Sequence, residues 1–469
     1  MEVIGRVEEK RELQRLLGSR EPEFVVVYGR RRVGKTYLVR EYLADHIVLH
    51  VTGLARSPYA LQLRNFNDAL DRVGAAPAPG DDWFSTFNRL RDWLAATPPS
   101  RTKRVVFIDE MPWMDTPRSG FIPALEHFWN GWAAAQPDIM LIVCGSATSW
   151  VMKKLLRDRG GLHNRVTGRI VLQPFTLREC EQYLTYLGIP YGRPQILESY
   201  MVFGGIPYYL RLMRPGRSLA QNVDALCLDD DAPLGGEFAE LYASLFRSPD
   251  PYVDVVTALS GRLSGLTRQE IAAATGIAEG GTLTRLLTDL ESCGLIRSYQ
   301  AYGRVSRGTL YQLVDPFTLF ALEFMTTRRP RMSWLVGVDN PRRRAWTGYA
   351  FESVCLTHID AIKTALGVRG VLTDVSSWRS GPSSPGAQID LVIDRRDQTI
   401  NLCEMKYGSQ PYAIDKAYAE TLERKRTVFR AETGTRKDLY LTLVSPHGVA
   451  PGQYQHTVHS VITLDDLFV

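Results

Sequence analysis

Apolar residues along the first 173 positions follow two alternating rhythms. Across 6–18 they fall at helical spacing, and this reading puts Val7, Leu13, Leu16 and Leu17 on one face. Residues 24–27 form a short continuous apolar run with β-branched members, as do 47–51, 105–108 and 139–143, and helical stretches lie between them. Short strands buried on both sides and alternating with helices predict a parallel sheet covered on both faces.

From about Pro174 the pattern becomes helical, with Gly204-Gly205-Ile206-Pro207 near its middle. Residues 214–236 hold Pro, Gly and the acidic run Asp229, Asp230 and Asp231, which predicts a loop-rich connection. Three helical stretches follow near 252–261, 267–274 and 281–293, and then short alternating segments around Gly303 and Gly308. Residues 326–345 are rich in arginine and proline and read as a linker. The expected organisation is 1–173, 174–250, 251–325, a linker at 326–345, and a last α/β block at 346–469.

Composition narrows this little. With 469 residues, 45% hydrophobic and 23% charged, the chain is ordinary globular material, which excludes collagen, mucin and wholesale disorder. The charge balance, 56 − 51 = +5, is mildly basic and compatible with nucleic acid without requiring it. Cys144, Cys180, Cys227, Cys293, Cys355 and Cys403 form no CxxC pair, so zinc and dithiol chemistry lack support. The opening residues carry no apolar leader, and no apolar run approaches the roughly 20 residues that cross a bilayer. The expectation is a cytoplasmic protein with no membrane partner.

Candidate chemistry begins between the strand at 24–27 and the helix expected from Thr36. Gly29, Arg30, Arg31, Arg32, Val33, Gly34, Lys35 and Thr36 match GxxxxGK[ST], with Tyr37 following. Glycines let such a loop turn its N–H groups toward phosphate oxygens, and the helix N-terminus adds a favourable partial charge. Lys35 is expected to reach the β- and γ-phosphates and Thr36 to hold Mg²⁺. The strand at 104–109 ends in Asp109, placed to assist the metal, and Glu110 is the candidate general base for the attacking water. The next strand ends near Ser146, a candidate contact to the γ-phosphate or the water; Thr148 is a weaker candidate, and a simple turn is the other reading.

Ile4-Gly5-Arg6, the phosphate loop, the Ile-Asp-Glu strand, the Gly-Ser strand end and Gly204-Gly205-Ile206-Pro207, in this order, resemble the archaeal-type ATPases of the AAA+/STAND P-loop assemblage, related to replication initiators. The resemblance spans roughly 1–330. It implies ATP as the nucleotide, Ile4, Gly5 and Arg6 along its adenine side, and Pro207 closing over the base from a helical lid. Arg165 and Arg169 occupy the region where such proteins carry a phosphate-sensing or trans-acting arginine; Arg157, Arg159 and Arg178 are nearby, and surface arginines are the other reading. A homo-oligomer or a nucleotide-dependent assembly is the expectation for partners beside ATP and DNA, with the oligomeric state left open.

Residues 266–277 read as a capped helix and a tight glycine turn. The next helix places Thr282, Thr284 and Arg285 on one side and Leu283, Leu286, Leu287 and Leu290 largely on the other. With a β-wing at 299–311 this is the order of a winged helix-turn-helix, which can set its second helix in a DNA major groove. Arg304 and Arg307 would then meet phosphate. A protein-contact or autoinhibitory module is the alternative, and Asp289 and Glu291 make the helix end acidic.

In the last block, Ile389-Asp390 opens one strand and Glu404-Met-Lys406 ends the next, with a turn at 396–398. A hairpin centred near Asp397 would set Asp390 directly opposite Glu404, close enough to share a cation. Glu404 and Lys406, two apart, share a face. Two carboxylates and a lysine suit metal-dependent phosphodiester hydrolysis, the carboxylates holding Mg²⁺ and the lysine orienting water or meeting developing charge. Glu352, on the preceding helix, is placed to join them. Helix with Glu, then Asp, then Glu-x-Lys resembles the PD-(D/E)xK nuclease fold over about 346–410, although Ile389 stands where that pattern expects Pro-Asp. A salt-bridged hairpin, or a nuclease-derived fold that only binds nucleic acid, are the alternatives; Tyr407, Gln410 and Tyr412 could line a binding site or simply pack.

The expected fold is therefore multidomain α/β: a P-loop NTPase sheet with a helical lid, a winged helix and a restriction-endonuclease-like domain. Two whole-protein readings stand, an ATP-hydrolysing enzyme acting on DNA and an ATP-dependent regulatory switch with an inactive nuclease-like domain.

Overall fold

The computed structural model describes residues 2–469 except 78–79, 147, 157–160, 163, 263–264, 301, 304–308, 327–332, 338–339 and 382–385. The chain divides into two compact units, Met1–Gln173 and Pro174–Val469.

The first unit is built on five parallel strands, β1 (Glu23–Tyr28), β2 (Ile47–Thr52), β3 (Arg104–Asp109), β4 (Ile139–Gly145) and β5 (Gly168–Val171). Their spatial order is β2-β3-β4-β1-β5. The three central strands are buried along their whole length, whereas the edge strand β5 alternates. Phe24, Val26, Leu141 and Val143 on one face meet Phe66, Phe87, Phe121 and Trp129 from the covering helices in one hydrophobic cluster. Because β4 lies between β1 and β3, the segments leaving the ends of all three strands converge, the place where open α/β sheets bind ligands.

The first helix, Val7–Leu17, corrects one expectation. Leu13 and Leu16 are buried, but Val7 is 57% exposed. At 100° per residue, Val7 stands half a turn away from Leu16, on the opposite face.

In the second unit, the helices Leu177–Tyr186 and Arg193–Phe203 lead into Gly204 and Gly205, both at positive φ. A Cβ on Gly205 would lie 2.3 Å from the carbonyl oxygen of Phe175, so only glycine fits that turn. Residues 214–236 are more helical than their composition predicts: Ser218 and Gln221 form a capping box over Leu219–Val223. The stretch at 326–345 is also not a free linker. Trp334 is fully buried, packs edge-on against Phe320 and Trp346, and lies under the Arg343 guanidinium. Asp224 accepts hydrogen bonds from the backbone N–H groups of Trp334 and Leu335, and Pro341 opens the helix Pro341–Thr357. One large aromatic side chain outweighs the polar composition around it.

The helices Asp250–Ser260, Arg268–Thr275 and Gly281–Ser292 pack with a small antiparallel sheet. Its strands β6 (Leu266–Thr267), β7 (Ile296–Gln300) and β8 (Thr309–Leu313) lie in the order β6-β8-β7. Arg304 and Arg307 lie outside the described residues. Tyr302, just past β7, is anchored. Its backbone N–H donates to Ser377 O at 3.1 Å, its hydroxyl to Asp394 Oδ2 at 3.1 Å, and its ring meets Phe429 at 5.0 Å.

The last sheet is mixed: β9 (Thr373–Arg379), β10 (Gln388–Arg395), β11 (Thr399–Met405), β12 (Asp438–Val444) and β13 (Ser460–Ile462), in the order β13-β12-β11-β10-β9. β9, β10 and β11 are antiparallel, and β12 and β13 continue parallel to β11. The helix Lys416–Thr433 covers one face through Ala419, Leu422 and Phe429. His358 joins distant parts of the unit: Nε2 accepts from the N–H of Leu177 at 3.1 Å while Nδ1 lies 2.8 Å from Val354 O.

Candidate functional sites

The loop after β1 takes the shape its glycines predict. Gly29 has φ 147°, and a Cβ there would strike Leu172 O at 2.2 Å. The helix Lys35–Tyr42 begins as the loop closes. Lys35 is buried, and its Nζ donates to the carbonyls of Gly29 and Arg30 at 2.9 and 2.8 Å. Thr36 Oγ1 donates to Asp109 Oδ2 at 2.8 Å, across 73 residues of sequence. A threonine hydroxyl and a buried carboxylate held together beside the loop are a donor set that suits a hard cation such as Mg²⁺.

Asp109 is buried, and its Oδ1 accepts from the N–H of Glu110 at 3.0 Å. Glu110 has φ 44°, a strained backbone for a non-glycine residue. Its Oε2 accepts from the Ser146 hydroxyl at 2.9 Å and the Ser146 N–H at 3.3 Å. The candidate base and the candidate polar contact at the end of β4 are thus partners. Burial, with Asp109 nearby, pushes the Cys144 thiol well up, so this cysteine stays protonated.

The remaining candidates of this unit divide. Arg6 is buried with φ 56° and braces the loop, Nη2 donating to Val33 O at 2.9 Å and Nη1 to Gln173 O at 2.8 Å. Gly5 also has positive φ, Ile4 is half-buried, and Tyr37 Oη donates to Glu2 O at 3.3 Å. The segment before the first helix therefore runs beside the loop. Of the three loop arginines, Arg30 is buried and Arg31 and Arg32 are half-buried, Arg32 with φ 69°. Arg165 and Arg169 are exposed, and neither side chain makes a hydrogen bond or ion pair among the described residues. Arg157 and Arg159 lie outside the described residues, as does the side chain of Thr148. In the second unit, Pro207 opens the helix Pro207–Arg211 and is half-buried.

The second site lies in the mixed sheet. β10 and β11 pair in the register Leu391 with Cys403, one step from Asp390 and Glu404, as a turn centred on Asp397 requires. The pairing of β10 with β9 is irregular between Ile389 and Val392, so Asp390 sits at a bulge, a device that re-aims a side chain. Asp390 Oδ2 accepts from the N–H of Met405 at 3.0 Å. Glu404 is 2% exposed; Oε2 meets Lys425 Nζ at 2.6 Å and Lys406 Nζ at 3.9 Å, and the buried Oε1 has no hydrogen-bond partner among the described residues.

Burial, reinforced by the charge of Asp390, pushes Glu404 up to about 7 and Glu352 up to about 8. Glu352 also feels Lys406, Glu404 and Lys425. It joins the site electrostatically only: among the described residues no three His, Cys, Asp or Glu side chains converge in a group that could hold a metal. A cation here would rest on Asp390 and the open oxygen of Glu404.

Lys425 is the residue that motif reading missed. It lies on the helix Lys416–Thr433 between the buried Leu422 and Phe429, a lysine where the helical stripe calls for an apolar side chain. That misfit is the signal sequence offers. Tyr407 packs on Phe351 at 5.7 Å and hydrogen-bonds Glu198 Oε1 at 3.3 Å; Tyr412 meets Tyr418 at 5.2 Å; Gln410 is exposed.

Residues 4–213 match the family described as the ATPase domain predominantly from Archaea. The uncharacterized protein MJECL04 of Methanocaldococcus jannaschii is 24% identical over 217 residues, covering 45% of this chain and 44% of that relative. The chain thus matches less than half the length of that curated relative. The Walker-type ATPase of Pyrococcus abyssi has a similar fold, with TM-score 0.50 and 18% identity over 68% of this chain and 96% of that one. The ORC2 protein of Aeropyrum pernix, solved as ADPNP and ADP complexes, gives TM-score 0.42 and 16% identity over 68% of this chain and 93% of that one. No helix among the described residues is long and apolar enough to cross a membrane. The phosphate loop and the Thr36–Asp109 pair both fall within residues 4–213, the stretch similar to that ATPase domain.

Proposed function

We propose that the protein binds and hydrolyses ATP with Mg²⁺, and acts on DNA through a winged helix at 251–325 and a metal-dependent nuclease-like domain at 346–469. The observation that carries the first part is Lys35, Thr36, Asp109, Glu110 and Ser146 brought to one edge of the parallel sheet. Bound Mg²⁺ would neutralise phosphate charge there, and Thr36 and Asp109 would hold it. Lys35 would exchange the carbonyls of Gly29 and Arg30 for phosphate oxygens. Glu110 would take a proton from the attacking water, with Ser146 fixing its carboxylate.

Support for DNA contact comes from element order. Helix, β6, helix, helix, β7 and β8 is the order of a winged helix, and Thr282, Thr284 and Arg285 are exposed on its last helix. Asp289 is turned toward Tyr252, whose hydroxyl donates to it at 2.7 Å, which reduces the acidity of that face. Support for phosphodiester chemistry is the pairing of Asp390 with Glu404 beside Lys406.

A second reading is favoured by one contact: Lys425 occupies Glu404 Oε2 in the way a cation would. In this reading the C-terminal carboxylates are structural, and ATP controls assembly or protein contacts.

The test combines ATP hydrolysis with cleavage of labelled single-stranded, duplex and branched DNA in Mg²⁺ or Mn²⁺. Hydrolysis lost in Lys35→Ala and cutting lost in Asp390→Ala support the enzyme reading. Intact hydrolysis with no cutting of any substrate overturns the nuclease and leaves the switch.

A further inference from the structure

A cavity of about 360 Å³ opens in the second unit where the parallel strands β11 and β12 end. Tyr407 and Ser409 line it just past β11, Pro446 and His447 just past β12, and Leu197 and Glu198 from the helix Arg193–Phe203. Carboxyl ends of parallel strands are where α/β sheets place ligands. The volume is at the small end for a ligand site, suited to one ring system rather than an extended molecule.

Its walls set the chemistry. Leu197, Pro446 and the Tyr407 ring are flat or apolar. Glu198 is the strongest acceptor: Oε1 takes the Tyr407 hydroxyl at 3.3 Å and faces Arg343 at 3.8 Å, while Oε2 has no partner among the described residues. Arg343 reduces the charge that a neutral ligand would have to meet. Ser409 and His447 are exposed at the rim.

The position relative to Lys406 says what passes by. The N–H of Lys406 bonds Val444 O at 2.9 Å, so the ladder extends one residue past β11. Lys406 and Tyr407 therefore leave the strand on opposite sides. A nucleic-acid strand crossing this end would present phosphate to Lys406 and a base to the cavity.

We propose that the cavity seats one unpaired nucleobase carrying an exocyclic amino group, with Glu198 Oε2 accepting from that amino group. This rests on the reading that the protein acts on nucleic acid, and it specifies an unpaired strand as the substrate class. Cytosine and uracil differ in having an amino group or a carbonyl at the same ring position, and a carboxylate accepts only from the first.

The test is equilibrium binding of labelled short oligo(dC) and oligo(dU) to the full chain in chelator, read by fluorescence anisotropy, so that cleavage plays no part. The expected result is oligo(dC) bound roughly tenfold more tightly than oligo(dU). Glu198→Gln should abolish the difference. Ser409→Trp, a change at an exposed position that fills the mouth, should weaken oligo(dC) and leave thermal unfolding unchanged, which keeps the test open if Glu198→Gln fails to fold. Equal binding of the two strands by wild type, or a preference untouched by both variants, overturns the base site while leaving nucleic-acid binding intact. No salt-sensitive binding of either strand overturns the underlying reading and the base site with it.

Discussion

Lys425 Nζ stands 2.6 Å from Glu404 Oε2, joining a covering helix to the centre of the mixed sheet through two nearly buried side chains. Removing the lysine leaves a carboxylate in a dry place. Lys425→Met is expected to cost about 3 kcal/mol of stability at pH 8. Without the lysine, the folded pKa of Glu404 rises further above its unfolded value, so the folded state binds the proton more tightly and the cost shrinks as pH falls toward 5. Urea unfolding at the two pH values checks this. Adding Glu404→Gln to Lys425→Met should restore part of the loss, and no restoration would mean that the pair is not coupled.

Glu110→Gln keeps the side-chain size and the bond from Ser146 but removes the proposed base. Nucleotide affinity is expected within a few-fold of wild type, with hydrolysis lowered about 10²- to 10⁴-fold. Parallel titration with a fluorescent nucleotide and single-turnover hydrolysis separates the two. A loss of binding as large as the loss of rate would assign Glu110 to shaping the loop.

Thr36→Val should act differently. It removes the hydroxyl that meets Asp109 at 2.8 Å and takes away one donor of the expected cation site. ATP hydrolysis should fall on the order of 100-fold and recover partly at high Mg²⁺. A magnesium titration of initial rates reads this; no dependence on magnesium would remove Thr36 from the cation site.

His358 gives a pH prediction. Burial holds it neutral, its pKa lowered from 6.5 to about 4. Its contribution to stability is full above pH 6.5 and is lost progressively as pH falls toward 4, where the folded state also takes the proton. The loss amounts to about 3 kcal/mol. Denaturant unfolding at pH 7, 5.5 and 4 should show this slope in wild type and a shallower one in His358→Gln.

Gly205→Ala combines a positive φ of 65° with a Cβ overlapping Phe175 O. Strain alone costs about 1–3 kcal/mol, and the overlap adds to it. Calorimetry should show a melting temperature below that of wild type.

What sequence revealed was what short-range geometry decides. The phosphate loop needs only a strand, glycines and a helix start. The Asp390–Glu404 register follows from the position of one turn. Contacts across sequence were hidden. Lys425 reaches Glu404, 21 residues away in sequence, only because its helix covers the mixed sheet. Trp334 could not be placed because its partners, Phe320 and Trp346, flank a stretch whose arginines and prolines suggested a tether. Val7 is apolar but lies half a turn from Leu16, so its angle on the helix, not its hydropathy, decides its exposure. The Thr36–Asp109 contact was expected from the order of motifs, but the partnership of Glu110 with Ser146 depends on β4 lying next to β3, which no local pattern states.

Tyr302 couples two sheets mechanically. Its backbone bond to Ser377, its hydroxyl on Asp394 and its ring on Phe429 tie the end of β7 to the sheet that carries Asp390 and Glu404. A load on the small antiparallel sheet is thereby passed, through a single side chain and its backbone, to the strands that carry the two carboxylates.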